Sequence, residues 1–201
     1  MSTQITLTTE LQAVNIMLST IGEAPVNTIE GTTNVDVSVA KAILDETSLA
    51  LQSEGWNFNT QPKYTVTIDD ESKVPLPSNT LQADAGVDYR YRNLIIRNGY
   101  LFDVDDNTDT FTGDLPQLDL VLAQQFEHIP EYARRYITMK AARRFASRFI
   151  GDETLTRLIQ QDEQEALIAF KQADSRSEDN NILTSDANTY SIINRPPRRR
   201  Y

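Results

Sequence analysis

Apolar residues recur at helical spacing at both ends of this chain and at strand spacing in its middle, and that order of periods leaves few architectures open. Near the start, Thr9 and Gln12 match a capping box, and Leu11, Val14, Met17, Leu18 and Ile21 then fall on one stripe. Gly22 suits a left-handed cap, and Pro25 blocks continuation. A second helix is expected from about Val35 to Glu54, with Asn34 as N-cap and Gly55 closing it. Val35, Val39, Ala42, Ile43, Ala50 and Leu51 supply its apolar side. Helicity returns at Pro130, which fits the first helical position, followed by a stripe of Tyr132, Tyr136, Met139, Ala142 (or Arg143), Ala146 and Phe149. Phe145 widens that stripe and Gly151 ends the helix. Asp152 can cap a fourth helix carrying Leu155, Leu158 or Ile159, Ala166 and Phe170.

Between these helices the period shortens. Lys63–Ile68 alternates as a half-buried strand does, with Tyr64, Val66 and Ile68 facing together. VPLPSNT carries too many turn formers for a regular element. Asn98-Gly99 between two apolar runs is a type I′ hairpin signal, because both turn positions need positive φ. The stretch from Asp103 to Gly113 reads as an acidic, solvent-facing loop, and Leu118–Leu122 as a further strand. The expected fold class is α+β: a four-helix bundle with a β-rich domain inserted between helices 2 and 3, plus an extended C-terminal arm. In domain terms, residues 1–58 and 126–173 form a discontinuous helical bundle, 59–125 the β-rich insert and 174–201 the arm. Ile182, Leu183, Tyr190, Ile192 and Ile193 interrupt the polarity of that last segment. They fit an arm lying in a neighbour's groove, with a frayed terminus as the competing reading.

Charge is distributed unevenly around a net of -10 in 201 residues. Acids dominate from Asp69 to Asp119, whereas Glu131–Ile150 sets Arg134, Arg135, Lys140, Arg143, Arg144 and Arg148 against the single acid Glu131. Ion pairing within the chain, to Asp162, Glu163 and Glu165 of the fourth helix, is one reading of that basic face, and oriented recognition of a neighbouring subunit or acidic partner is another, while an acidic whole opposes tight phosphate binding at long range. The chain has no cysteine, no run of eighteen apolar residues and no signal-like start, so neither disulfides, a membrane span nor a signal peptide is expected. Metal, cofactor and catalytic sites are not expected either: His128 is the one histidine, and no HExxH, GxSxG, GxGxxG or phosphate-binding loop occurs. Two active readings stay open beside a non-catalytic one. Carboxylates such as Asp103, Asp105, Asp106 and Asp109 could serve a glycan or peptidoglycan hydrolase, and Arg143, Arg144 and Arg148 could make a DNA-binding face.

Several segments, in order, resemble the tail tubular protein A, or head-to-tail adaptor, of T7-like short-tailed phages. They are ELQAVNIMLSTIGEAPVNTIEG at Glu10–Gly31, GWNFN at Gly55–Asn59, RNGYLFD at Arg97–Asp103 and PEYARRYITMKAARRFASRFIG at Pro130–Gly151. The resemblance spans roughly residues 8 to 190, with departures around Asp105–Asp109 and in the RPPRRR segment. It implies a non-enzymatic subunit of a twelve-membered ring between portal and tail nozzle, assembled in the host cytoplasm and carried in the virion tail. Double-stranded DNA passes down the axis of such rings. On this chain the resemblance makes Tyr132, Arg135, Tyr136, Arg143, Arg144, Arg148, Ile182, Leu183, Tyr190, Ile192 and Ile193 interface candidates toward neighbours and portal. Tyr64, Arg97, Tyr100 and Phe102 become candidates for the nozzle-facing end.

Overall fold

The computed structural model describes residues 6–31, 33–85, 92–113, 115, 117–149 and 153–185. Among the described residues the element order is α1 (Glu10–Thr20), α2 (Val35–Gln52), β1 (Thr60–Tyr64), β2 (Thr80–Ala85), β3 (Leu94–Arg97), β4 (Tyr100–Asp103), β5 (Leu118–Leu122), α3 (Glu131–Phe149) and α4 (Glu153–Ser185). A single 3-10 turn at Phe126–His128 leads into α3.

Local chemistry accounts for most of these boundaries. The Thr9 hydroxyl accepts from the Gln12 amide and the Gln12 side chain accepts from the Thr9 amide, a reciprocal cap for α1. Asn34 caps α2 through the Asp36 amide at 2.9 Å. Asn98 and Gly99 take φ of 56° and 82°, as the two-residue β3–β4 hairpin requires. The carbonyl of Pro130 accepts from the Ala133 and Arg134 amides, so this proline sits one position earlier than expected, just before α3.

α3 is the shared centre of the helical layer. It buries Ala133, Tyr136, Ile137, Ala141, Ala142, Phe145 and Ala146, residues that occupy more than one side of a helix. α1 and α2 pack on it and on each other, and α4 packs along it separately. The main apolar cluster joins Val14, Met17, Leu18, Ile43, Leu44 and Leu51 to Ile137, Phe145, Ile159 and Phe170. A second cluster lies among the strands and their loops, around Val74, Leu94, Leu101, Phe111, Leu118 and Leu120.

The expected fold class is overturned. Among the described residues there are four helices, but α1 and α2 share no seam with α4 comparable to the one each makes with α3, so no regular four-helix bundle closes. The physical reason is the breadth of the apolar surface of α3, wider than the single Tyr132–Phe149 stripe. Nor do the strands make a separate β-rich insert: they form two small open sheets, one of order β1-β5-β2 and the hairpin β3-β4. The three-stranded sheet is stitched to the end of α2. Gln52 Nε2 donates to the Gln124 carbonyl at 3.0 Å, Asn59 Nδ2 to the Gln52 carbonyl at 2.8 Å, and Gln124 Nε2 to the Phe58 carbonyl at 2.9 Å.

The extended arm is corrected as well. α4 stays helical through Ser185, beyond Asp174 where the arm was expected to begin. No proline or glycine lies between Asp174 and Ser185 to break it. Residues 186–201, with the anchors Tyr190, Ile192 and Ile193, lie outside the described residues.

The strand expected at Lys63–Ile68 is displaced too. β1 ends at Tyr64 because Pro62 and the positive φ of Lys63 (56°) interrupt the ladder, and the register with β5 shifts between Gln61 and Tyr64. Val66 and Ile68 still pack against the second cluster without strand pairing. β2 was not expected, although Leu81, Ala83 and Ala85 alternate with Gln82 and Asp84.

Candidate assembly surfaces

The basic residues of α3 separate into three kinds once side chains are placed. Arg134 is buried, 4% exposed, and hydrogen-bonds the carbonyls of Ile129, Glu127 and Thr8, the last at 2.9 Å. Its neighbour Glu131 accepts from the Thr8 amide and hydroxyl. Together they clamp the segment before α1 onto the start of α3. The spacing Arg134, Ile137 (or Thr138), Ala141 and Phe145 places this arginine on a buried stripe, a signal available in the sequence. Sequence reasoning counted it only among the surface charges.

Arg143 and Arg144 are engaged within the chain. Arg143 pairs with Glu163 of α4, and that hydrogen bond raises the guanidinium pKa against the opposing effect of burial. Arg144 Nη1 donates to Thr47 Oγ1 at 3.0 Å and Nη2 to Glu46 Oε1 at 2.8 Å, joining α3 to α2. Arg148 Nη2 lies 3.9 Å from Glu46 Oε2. Carboxylates thus already face three of the cations on which a phosphate-gripping face would depend. Arg135 is different: it is exposed, and no carboxylate among the described residues engages it.

The aromatic candidates on α3 face α4. Tyr136 stacks on Phe170 with ring centres 5.5 Å apart, and Tyr132 lies tilted at 5.9 Å. Trp56 meets the other side of Phe170 edge-on at 4.4 Å. Burial, and then the negative charge of Asp174, pushes the Tyr132 phenol above its ordinary pKa. Asp174 itself is held where its Oδ1 accepts from the Asn57 amide at 3.2 Å and its carbonyl from Asn57 Nδ2 at 3.1 Å. Tyr136 is therefore largely covered, Tyr132 half so. Ile182 and Leu183 fall within the last part of α4.

The nozzle-end candidates gather less tightly. Arg97 lies flat on the Phe102 ring, 3.7 Å from its centre, while Lys73 sits 5.7 Å over Tyr100. Phe102 is buried beneath that arginine, and Tyr64 packs half-buried against the second apolar cluster. Beside them the acidic stretch departs from a simple exposed loop. Asp103 is 2% exposed, and its Oδ1 accepts from the amides of Asp105 at 3.0 Å and Asp106 at 3.2 Å. Asp109 lies 3.6 Å from Lys73 Nζ, and Phe111 is buried. Asp103 and Asp109 thus have structural partners in this loop. Among the described residues no group of three or more His, Asp or Glu is placed to hold a metal ion, and no helix is long and apolar enough to cross a membrane.

Apolar side chains left in solvent mark the outer surfaces. Phe149 is 43% exposed, Leu158 55% and Ile168 57%, all on the α3–α4 hairpin. Such residues, on the same hairpin as the exposed Arg135, make it a candidate contact surface. No curated protein matches the sequence. A family model described as tail tubular protein matches residues 11–180, a span that holds all but the first residue of α1, all of α2, both sheets and α3, and most of α4. The chain therefore belongs to the tail tubular protein family, with a structural role in a viral tail.

Proposed function

We propose that the chain is one subunit of a ring-shaped adaptor, twelve copies in the arrangement it resembles, joining the portal of a short-tailed phage to the tail nozzle. Genome DNA passes along the axis of that ring. The observation that carries this reading is the tail tubular match across residues 11–180. Two physical features support it. Leu158 and Ile168 on the α3–α4 hairpin would lose their contact with water against a neighbouring copy, and head-to-tail contacts of this kind close into rings. A net charge of -10 suits the wall of a channel through which a polyanion slides without being held. The hairpin of β3 and β4, with Arg97 laid over Phe102, is assigned to the nozzle side.

Mixing the purified chain with portal rings and following mass by sedimentation velocity tests the reading. Portal-bound rings are expected, and Arg135→Glu combined with Ile168→Asp should reduce ring incorporation at least tenfold while leaving the monomer folded. A chain that stayed monomeric with and without portal would overturn the proposal.

A further inference from the structure

A cleft of about 460 Å³ opens on the outer face of the β3–β4 hairpin, lined by Arg97, Asn98 and Tyr100 of the hairpin and by Lys73, Asn107 and Asp109 of the loops beside it. Strand alternation decides which side chains reach it. Leu94 and Leu101 belong to the second apolar cluster, so Arg97, its cross-strand partner Tyr100, and Phe102 stand on the opposite face. Phe102 is nevertheless only 8% exposed, and the Arg97 guanidinium lies over its ring, 3.7 Å from the centre.

The two cations of this cleft are not equivalent. Lys73 Nζ lies 3.2 Å from Glu71 and 3.6 Å from Asp109, so its charge is already answered within the chain, as is that of Asp109. Buried Asp103 is taken as well, by the amides of Asp105 and Asp106 and by Arg92 at 3.9 Å. Arg97 is exposed, and no carboxylate among the described residues engages it. Stacking on an aromatic face fixes a guanidinium while leaving its donor edge open, and that planar fork matches a carboxylate through two parallel hydrogen bonds. Asn98 and Asn107, both exposed and both at positive φ (56° and 52°), add carboxamides to the same cleft.

We propose that this cleft is a docking site for a single carboxylate side chain presented by a partner protein, with Arg97 as its bidentate anchor. A nucleic-acid phosphate fits less well. Asp105 and Asp106 precede Asn107 and Asp109 on one loop, and Glu71 flanks Lys73 on another. A continuous polyanion meets like charge beside Arg97, whereas a lone carboxylate brings no neighbours of its own sign. The chemistry of the cleft does not rest on the ring reading, which adds only that the partner is the nozzle protein.

Titrating the full-length, 15N-labelled chain with the peptide acetyl-Gly-Gly-Glu-Gly-Gly-amide tests the proposal. The Arg97 Nε–H and the side-chain amides of Asn98 and Asn107 should shift together along one saturating curve. The counterpart with Gln in place of Glu should bind at least fivefold more weakly, because it removes the charge from the hydrogen bonds. Arg97→Gln should abolish the response, and Arg97→Lys should not restore it, since an ammonium lacks the fork. Arg135→Gln, at an exposed arginine of α3, should leave it unchanged. The same spectra report whether each variant keeps its fold, and the comparison of Glu with Gln peptide in the unaltered chain requires no variant at all. Equal responses to the two peptides, an undiminished response in Arg97→Gln, or a short DNA duplex shifting these signals at lower concentration than the Glu peptide would each overturn the proposal.

Discussion

Replacing Phe170 with alanine should separate α4 from the rest of the helical layer more effectively than any other single change. The side chain is fully buried, and three aromatic rings meet it: Trp56 at 4.4 Å, Tyr136 at 5.5 Å and Tyr132 at 5.9 Å. Loss of the transferred area together with the cavity left behind costs about 4 kcal/mol for a buried phenylalanine. With a urea slope of about 2.5 kcal/mol per molar for a chain of this size, the unfolding midpoint should fall by about 1.6 M. Trp56 is the single tryptophan and touches Phe170 directly, so its fluorescence reports the same contact whose loss is being measured. Its emission should shift to the red in the native baseline, before any denaturant is added. Phe170→Leu keeps most of the volume and should lose less than half as much. A midpoint lowered by under about 0.5 M, with unchanged Trp56 emission, would refute the idea that this aromatic cluster fastens α4.

Arg134→Met leaves the carbonyls of Ile129, Glu127 and Thr8 without their buried donor, and should cost about 3 kcal/mol in thermal or urea unfolding. Hydrogen exchange should then rise at the Thr8 and Glu10 amides before it rises in α3. Gly99→Ala meets no atom within 4 Å, so only its left-handed backbone (φ +82°) resists, and a loss of about 1 kcal/mol is expected. For Tyr132 the folded pKa lies above the unfolded value of about 10, so its contribution is intact below that pH and declines as pH climbs toward the folded value. Tyr132→Phe should remove that component from stability measured as pH rises above about 10, whereas identical slopes for the two proteins would contradict the assigned burial.

Local signals in the sequence translated well where a single residue type decides the backbone. The capping pair Thr9–Gln12, the Asn34 cap and the Asn98-Gly99 turn all appear with the expected geometry. Architecture was harder to read because α3 is apolar on more than one side, and a single-stripe reading makes such a helix one wall of a bundle rather than its centre. Ile137, Ala141 and Phe145 carried the missing information. Likewise, Arg134 was grouped with Arg135 as a surface charge, although its spacing with Ile137, Ala141 and Phe145 sets it on the buried stripe. What no local pattern carried is that the segments before α1 and after β5 bring the carbonyls of Thr8 and Glu127 to it at the start of α3. Polar composition after Asp174 suggested an arm, but polarity without proline or glycine is compatible with helix, and α4 continues. The basic face of Arg143 and Arg144 was legible, and so was Glu163 of the fourth helix as an acid able to oppose it, which the Arg143–Glu163 pair bears out; Glu46 of α2, the partner of Arg144, was not.

Electron cryo-microscopy of tails purified with this chain most directly tests its assignment as a ring subunit between portal and nozzle. The expected map shows a closed ring of identical subunits around a DNA-wide channel, with the α3–α4 hairpins at the subunit contacts and the β3–β4 hairpin on the nozzle side. Density for the chain as isolated copies away from the axis, or tails that are complete and lack it, would contradict that assignment.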